Sequence, residues 1–197
     1  MLFRSLKTHN LFFVKEKVGL FKAVNEYDIL DPETQELLLQ STEKIGPLTK
    51  LLRFTDYKRN TPFNVTVSDS AGDPVIRVHR GISIFRSRVT VFDETDAAVG
   101  QFLQKLFSIG GAFRLLDMSE HEMGVLQGKW TSWEFTFKDD QGVELAKVSK
   151  KWAGIGRELF TTADNYMLQI FDAVEPEDPV RMLILAAVMC IDMVLKE

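Results

Sequence analysis

The sequence comprises 197 residues, of which 45% are hydrophobic and 26% are charged, and its formal net charge is -4. A chain of this length and composition builds its own globular core, which excludes disordered, collagen-like and coiled-coil proteins. The acidic balance excludes a generally basic nucleic-acid coat protein, and the single cysteine, Cys190, excludes a disulfide framework and a thiolate metal cage within one chain.

Short alternating runs of polar and apolar residues, each ended by turn-forming residues, fill most of the chain. The run 64–68 meets the turn sequence 69–74 before residues 75–78 resume the alternation, which predicts a β-hairpin. An earlier hairpin is predicted around Asp31. Later turns recur at intervals of 24, 24 and 22 residues, counted between the aspartates Asp69, Asp93, Asp117 and Asp139.

About five hairpins in succession, without long helices between them, predict an all-β meander. A meander of ten or more antiparallel strands tends to curl and close, because closure removes the exposed edge strands. The predicted fold is therefore a closed antiparallel barrel. Two short segments with apolar residues at helical spacing, 47–54 and 98–107, are interpreted as surface helices that cover it.

A basic segment follows the predicted turn at Asp69. Side-chain alternation places Arg77 and His79 on one face of their strand, and likewise places Arg86 and Arg88 on one face. Pairing of the two strands would join these faces into a single outer surface. The segment carries no acid among its basic residues, which are Arg77, His79, Arg80, Arg86 and Arg88.

A second basic cluster flanks Trp152 and consists of Lys147, Lys150, Lys151 and Arg157. Both clusters suit anionic lipid head groups, because guanidinium groups match phosphate oxygens and tryptophan rests at membrane interfaces. The alternative is a solvated outer barrel face whose cations pair with scattered acids. We take the two clusters as the candidate head-group site.

Known catalytic motifs do not occur in the sequence. The three histidines, His9, His79 and His121, lie in no nucleophile or metal motif, and no phosphate-binding glycine loop is present. The sequence therefore predicts a protein that is not an enzyme, with no catalytic residues and no cofactor.

The C-terminal residues predict a helix over 179–195, with Asp178 as its N-cap and Pro179 at its first position. This helix is apolar on every side, yet it is shorter than the roughly 20 residues that a bilayer core requires. We therefore expect it to fill the barrel as a central helix. Arg181 and Asp192 fall on one stripe near opposite ends, where each would reach a rim and be solvated or paired.

Four segments together resemble a known family: 147–155, 157–161, 163–166 and the helix end 190–192. In residue type, spacing and order they are similar to the C-terminal half of the phospholipid scramblases and of the LURP-one-related proteins of plants and bacteria. The resemblance is specific over residues 147–197 and only compatible upstream. It implies one tubby-like domain over residues 1–197, with about twelve strands around the C-terminal helix. It also implies a ligand class, since tubby-like domains bind phosphoinositides and scramblases act on phospholipids.

The sequence departs from the scramblase pattern in two respects. It lacks their proline-rich N-terminal extension and their palmitoylated cysteine cluster. Their proposed calcium segment begins with an aspartate where this chain has Thr162, and Met167 stands where a calcium loop needs glycine. A turn followed by a strand is the preferred interpretation, so no metal is predicted. The calcium candidates that remain are Asp164, Asn165 and Asp172.

The predicted function is non-enzymatic binding of phospholipid or phosphoinositide by a membrane-associated regulatory protein. A helix that fills the barrel cannot also line a path across the bilayer, so scrambling itself is not expected. We expect a cytoplasmic protein, peripheral to the membrane, without a transmembrane span. The alternative is a module that binds protein or nucleic acid and has no lipid role.

Overall fold

The computed structural model describes residues 4–17, 24–55, 60–83, 85–106, 111–129, 131–150 and 165–195. Within these ranges it contains three α-helices, which are α1 Arg4–Thr8, α2 Pro47–Leu52 and α3 Val180–Cys190, the last continued by a π-helical turn over Ile191–Leu195. The strands are β1 Leu11–Glu16, β2 Tyr27–Leu30, β3 Leu37–Glu43, β4 Phe63–Asp69, β5 Pro74–Arg80, β6 Arg88–Phe92, β7 Ala98–Gln104, β8 Ala112–Leu116, β9 Glu122–Lys129, β10 Glu134–Asp139, β11 Glu144–Ser149 and β12 Asn165–Ile170.

The twelve strands form one closed barrel in which each strand pairs antiparallel with its neighbours in sequence. Pairing of β1 with β12, from Leu11 opposite Gln169 to Lys15 opposite Asn165, closes the sheet. The predicted all-β barrel around a C-terminal helix is thus confirmed.

Connections between consecutive antiparallel strands alternate between the two ends of the barrel. We call one end the turn end; it comprises the connections 31–36, 70–73, 93–97, 117–121, 140–143 and 171–179. We call the other the loop end; its described residues are 17, 24–26, 44–55, 60–62, 81–83, 85–87, 105–106, 111, 131–133 and 150.

Four hairpins at the turn end share one turn geometry. In each, an aspartate Oδ1 accepts hydrogen bonds from the backbone N–H groups two and four residues later, at 2.8–3.0 Å. The residue three positions after the aspartate has a positive φ, and the ladder shifts register beside it. This is the conformation of a type I turn followed by a bulge residue. The aspartates are those predicted from spacing: Asp69, Asp93, Asp117 and Asp139.

The helix α3 runs from the turn end to the loop end along the barrel interior. Its residues from Met182 to Met193 are buried on every side, because inward-facing strand residues surround it. Gly100 of β7 lets the helix approach, since a Cβ there would lie 3.1 Å from the methyl groups of Leu183. The helix begins at Val180 with Pro179 as its N-cap, one residue later than predicted, and Asp178 Oδ1 accepts a hydrogen bond from Val180 N–H at 2.8 Å.

The two charged residues of the central helix are both buried, so neither is solvated at a rim. The Arg181 guanidinium donates to the carbonyl oxygens of Leu6 and His9 and, at 2.8 Å, to Asn10 Oδ1. The helix is therefore fixed at the turn end to the residues that precede β1. Burial of an arginine is tolerated here because its donors find acceptors in the protein.

The Asp192 carboxylate, at the loop end of the same helix, accepts hydrogen bonds from the phenol groups of Tyr27 and Tyr166. Burial, together with the charge of Asp192, raises the pKa of Tyr27 well above its usual value, so this phenol remains a donor. The aspartate is paired rather than solvated.

The predicted helix over 98–107 is wrong, because residues 98–104 form β7. Phe102 points into the barrel and Leu103 to the outside, and both are buried. Burial on both faces of a strand places apolar residues side by side, which imitates helical spacing. The other predicted helix exists as α2. In the part of the chain that the structure describes, no helix is both long and apolar enough to cross a bilayer.

Candidate functional site

Strands β5 and β6 pair as the sequence predicts, and three of the basic residues share their outer face. His79 lies opposite Thr90, and Arg77 lies opposite Phe92. Arg88 stands two residues before Thr90 and therefore points to the same side. Arg80 alternates to the inside of the barrel and is buried.

The outer arginines of these strands already have acid partners. Arg77 donates to Asp96 Oδ1 at 2.7 and 2.9 Å, and its guanidinium lies 3.8 Å from the centre of the Phe92 ring. Arg88 donates to Glu120 Oε1 at 2.7 Å. Both positive charges are thus partly neutralised within the protein.

Arg80 acts inside the loop end of the barrel. It donates to the carbonyl oxygen of Thr61 at 2.5 Å and to Ser87 Oγ at 3.4 Å, and it lies over the ring of Phe63. Thr61 and Ser87 belong to two different connections of the loop end. Arg80 therefore ties those connections together.

A pocket of about 180 Å³ lies beside His79 at the loop end, and its lining includes Lys44, Thr49, Pro62 and Asn64. Asn64 is the cross-strand neighbour of His79. The Nδ1 atom of His79 and the Oδ1 atom of Asn64 are buried and have no hydrogen-bond partner among the described residues. The pocket thus combines a cation with an amide oxygen that accepts a hydrogen bond and an imidazole nitrogen that can accept or donate one.

The second basic cluster is described only in part. Lys147 pairs with Glu134 at 3.4 Å across the neighbouring strand. The ammonium group of Lys150 lies 3.8 Å from the centre of the Trp133 ring and 5.2 Å from that of Tyr166. The remaining members, Lys151, Trp152 and Arg157, lie outside the described residues, as does Asp164.

The two calcium candidates that the structure describes lie far apart. Asn165 begins β12 at the loop end, whereas Asp172 follows β12 at the turn end. A strand advances about 3.3 Å per residue, so one ion could not contact both side chains. Among the described residues no group of three or more His, Cys, Asp or Glu is arranged to hold a metal ion.

A larger groove of about 560 Å³ lies on the outer face of the barrel beside β8 to β11. Its charged lining residues are of both signs: Lys105, Lys129, Lys138, Glu134 and Glu144. Lys138 pairs with Glu144 at 3.1 Å. The groove therefore carries three lysines and two glutamates rather than a patch of one sign.

The sequence prediction missed an exposed apolar surface at the loop end. The two connections that form it, β3–β4 and β5–β6, lie side by side because β4, which ends the first, pairs with β5, which begins the second. Leu48 and Leu51 of α2 are 69% and 64% exposed, and Phe85 is 87% exposed. We call this surface the apolar platform; its residues are Leu48, Leu51, Phe54, Ile82 and Phe85. Helical spacing at 47–54 was the available signal, but it was interpreted as a face that packs on the barrel.

Exposed cations border the apolar platform. Lys44, Lys50 and Arg86 form no ion pair with any residue that the structure describes. The described parts of the same two connections, 44–55, 60–62, 81–83 and 85–87, contain no Asp or Glu. This surface is therefore apolar and positively charged at once.

Comparison with known proteins places the chain in a family. A sequence model of the Scramblase family matches residues 8–197. The phospholipid scramblase family protein C343.06c of Schizosaccharomyces pombe is 26% identical over 175 residues, which cover 84% of this chain and 44% of that protein. The altered inheritance rate of mitochondria protein 25 of Saccharomyces cerevisiae is 22% identical over 187 residues, covering 80% of this chain and 57% of its own length.

The chain spans about half the length of these curated relatives. Among solved structures, a protein of Arabidopsis thaliana with a tubby-like fold is similar over 91% of both chains, with a TM-score of 0.51 and 13% identity. That likeness concerns the fold alone. Because the family match extends over nearly the whole chain, the resemblance inferred from its C-terminal segments is confirmed, and the protein belongs to the Scramblase family.

Proposed function

We propose that this protein binds, without catalysis, to the surface of anionic phospholipid membranes, and that the loop end of the barrel faces the bilayer. The observation that carries the proposal is the separation of charge along the barrel axis. The apolar platform and its cations, Lys44, Lys50 and Arg86, lie at one end. The connections at the opposite end contain many acids and no Lys or Arg, and the cations before β1 at that end are Arg4 and Lys7, of which Lys7 pairs with Glu177.

The acids of the turn end would repel an anionic bilayer, while the cations of the loop end would be attracted to it. Each Lys or Arg near such a surface contributes about 1 kcal/mol, and the attraction decays over roughly 10 Å at ordinary ionic strength. Three cations on one side of the protein therefore favour one docked orientation. The net charge of -4 does not oppose this, because most of the acid stands at the far end of the barrel.

The outward-facing basic residues of β5, β6 and the connection between them divide into two groups under this proposal. Arg86 and His79 lie at the loop end and would contact head groups, with the pocket beside His79 open to a phosphate. Arg77 and Arg88 form ion pairs with Asp96 and Glu120 and would therefore contribute less to membrane binding. Membership of the Scramblase family supports a phospholipid as the ligand class.

Co-sedimentation with vesicles tests the proposal. The wild-type protein should sediment with vesicles rich in phosphatidylserine and remain in solution with pure phosphatidylcholine. The triple variant Lys44→Glu, Lys50→Glu, Arg86→Glu should lose binding, since it reverses the charge of the docking end.

A second triple variant, Arg77→Glu, Arg114→Glu, Lys138→Glu, changes the net charge by the same amount away from the loop end and should retain most of the binding. Equal loss in both triple variants, or equal sedimentation of the wild type with both vesicle types, would contradict the proposed orientation or the lipid role. Titration of a fluorescent oligonucleotide with the same proteins tests nucleic acid as the alternative ligand.

A further inference from the structure

The apolar platform exposes five large apolar side chains to solvent. Electrostatic attraction to a membrane does not explain why these side chains are apolar. Ile82 is 78% exposed and Phe54 is 62% exposed, in the same range as the other three members. Soluble proteins rarely gather exposed apolar residues in this way unless the surface meets a membrane or another molecule. The platform therefore requires an occupant.

Buried polar contacts hold the platform in place from below. Arg53, at the end of α2, donates to both carboxylate oxygens of Glu43, and the two side chains are almost fully buried. Arg53 also donates to the carbonyl oxygen of Pro62 at 3.3 Å. Because Arg53 fixes the end of α2 to the barrel, Leu48 and Leu51 of this helix are held in an outward orientation.

The β5–β6 connection is hydrogen-bonded to the β3–β4 connection. The backbone N–H of Ser83 donates to the carbonyl oxygen of Asn60 at 3.3 Å. Arg80 links Thr61 of the β3–β4 connection to Ser87 of the β5–β6 connection through its guanidinium. The two apolar segments are thus presented together as one surface.

The charge around the platform selects the occupant. An apolar centre bordered by lysine and arginine, with no acid among the described residues of its two connections, matches the boundary between anionic head groups and acyl chains. Lys44, Lys50 and Arg86 would reach the phosphates while the apolar side chains lie deeper. A neutral apolar partner surface would leave these three cations without a counterpart.

We propose that the apolar platform inserts into the interfacial region of an anionic bilayer, with Leu48, Leu51, Phe54, Ile82 and Phe85 entering below the head groups. This inference rests on the proposed function and adds how deeply the protein enters the bilayer. Binding then has two parts, an electrostatic one that salt screens and an apolar one that salt does not screen.

A fluorophore at the platform tests insertion directly. Phe85→Cys can be labelled with an environment-sensitive dye, since the native thiol of Cys190 is fully buried. Met118→Cys is the matched control, because Met118 is also a large exposed apolar residue but lies at the turn end. On phosphatidylserine vesicles the label at position 85 should shift to the blue and be quenched by spin labels on the acyl chains. The label at position 118 should show neither change.

Substitutions provide the second readout. Leu51→Ser and Phe85→Ser should each weaken vesicle binding about tenfold, because each removes one apolar side chain from the interface. Met118→Ser should bind like the wild type. All three proteins should keep the wild-type melting temperature, since the substituted side chains are exposed in the free protein.

The two proposals fail in different ways. If the wild type binds anionic vesicles but the label at position 85 stays in water and Phe85→Ser binds normally, insertion is refuted and electrostatic docking stands. If the wild type does not bind anionic vesicles, both proposals are refuted. Concentration-dependent dimerisation that Phe85→Ser abolishes, with unchanged vesicle binding, would assign the platform to a second copy of the chain and refute insertion.

Discussion

The two ends of the barrel are made by the same strands but from opposite kinds of residue. At the turn end, short connections close on aspartate side chains that accept backbone N–H groups, as at Asp69 and Asp139. At the loop end, the connection β3–β4 is held by the buried pair of Arg53 with Glu43, and the described outer sides of β3–β4 and β5–β6 are apolar or cationic.

This difference teaches where the chain had freedom to acquire a function. Each of these four turns uses an aspartate to accept its backbone N–H groups, so the four hairpins together make their end of the barrel acidic. A connection anchored from inside leaves its outward residues free to vary. The loop end is therefore the end whose outward residues can be adapted to bind a ligand.

Removal of the central helix should have the largest effect, because both ends of the barrel pack on it. A protein that lacks residues 180–197 should not fold, since the strands would enclose an empty interior. Circular dichroism and thermal melting check this expectation, with deletion of residues 196–197 alone as the control. A cooperatively melting protein without the helix would show that the barrel does not need its core.

Loss of an anchor at the loop end should have the next largest effect. Glu43→Gln leaves Arg53 buried without its carboxylate, and breaking a buried pair typically costs about 3 kcal/mol of the free energy of unfolding. Urea denaturation measures the loss, and hydrogen exchange should show α2 opening before the strands.

The matched control for this anchor is Glu122→Gln, which removes the exposed partner of Arg114. An exposed pair contributes less than about 1 kcal/mol, so this variant should be nearly as stable as the wild type. Equal destabilisation by the two substitutions would contradict the view that buried pairs fix the loop end.

Acid should weaken the turn end first. The N–H of His121 holds the pKa of Asp117 below its usual value, and the N–H of Thr34 does so for Asp31. A carboxyl group with a lowered folded-state pKa stabilises the protein above its unfolded pKa and loses that contribution as pH falls through the folded value. Stability should therefore decline below about pH 4, the usual range of an unfolded aspartate.

Urea midpoints measured from pH 6 down to pH 2.5 check this decline. The double variant Asp31→Asn, Asp117→Asn should show a shallower slope over the same interval, because two of the titrating groups are gone. An unchanged slope would mean that carboxylates elsewhere govern the acid response.

The smallest effect is expected on the outer face of β5 and β6. Arg77→Gln with Arg88→Gln removes two exposed ion pairs, so the free energy of unfolding should change by less than about 1 kcal/mol. Vesicle binding should fall less than with Arg86→Gln alone, which removes a cation of the loop end. A larger loss of vesicle binding from Arg77→Gln with Arg88→Gln than from Arg86→Gln would place the head-group site on the outer face of β5 and β6, as the sequence predicted.

Local patterns in the sequence predicted much of this architecture. Evenly spaced aspartates identified four hairpins, because the turn depends on hydrogen bonds within five residues of Asp69, Asp93, Asp117 and Asp139. The C-terminal helix was recognisable as a core element because it is apolar all round yet too short for a bilayer. The prediction of a helix over 98–107 was wrong because a strand that is buried on both faces carries apolar residues at spacings that resemble those of a helix.

The candidate site was less predictable. Asp96 pairs with Arg77 from 19 residues away in sequence, and Glu120 pairs with Arg88 from 32 residues away. No local pattern reveals such partners, since the registers of the strand pairs from β5 to β8 bring them together. Alternation did place Arg77 and His79 correctly on one face, but it could not tell that the charge of Arg77 was already paired with Asp96.

By itself, the sequence determined the hairpins, the central helix and the family, because turn chemistry, apolar content and motif order are properties of neighbouring residues. Only the tertiary structure decided which end of the barrel is acidic and which is apolar and cationic. The spacing of Leu48 and Leu51 shows that they share a face of a helix, but not whether that face meets the barrel or the solvent. The buried pair of Glu43 and Arg53 decides that question, because it fixes the end of α2 to the barrel while Leu48 and Leu51 stay exposed.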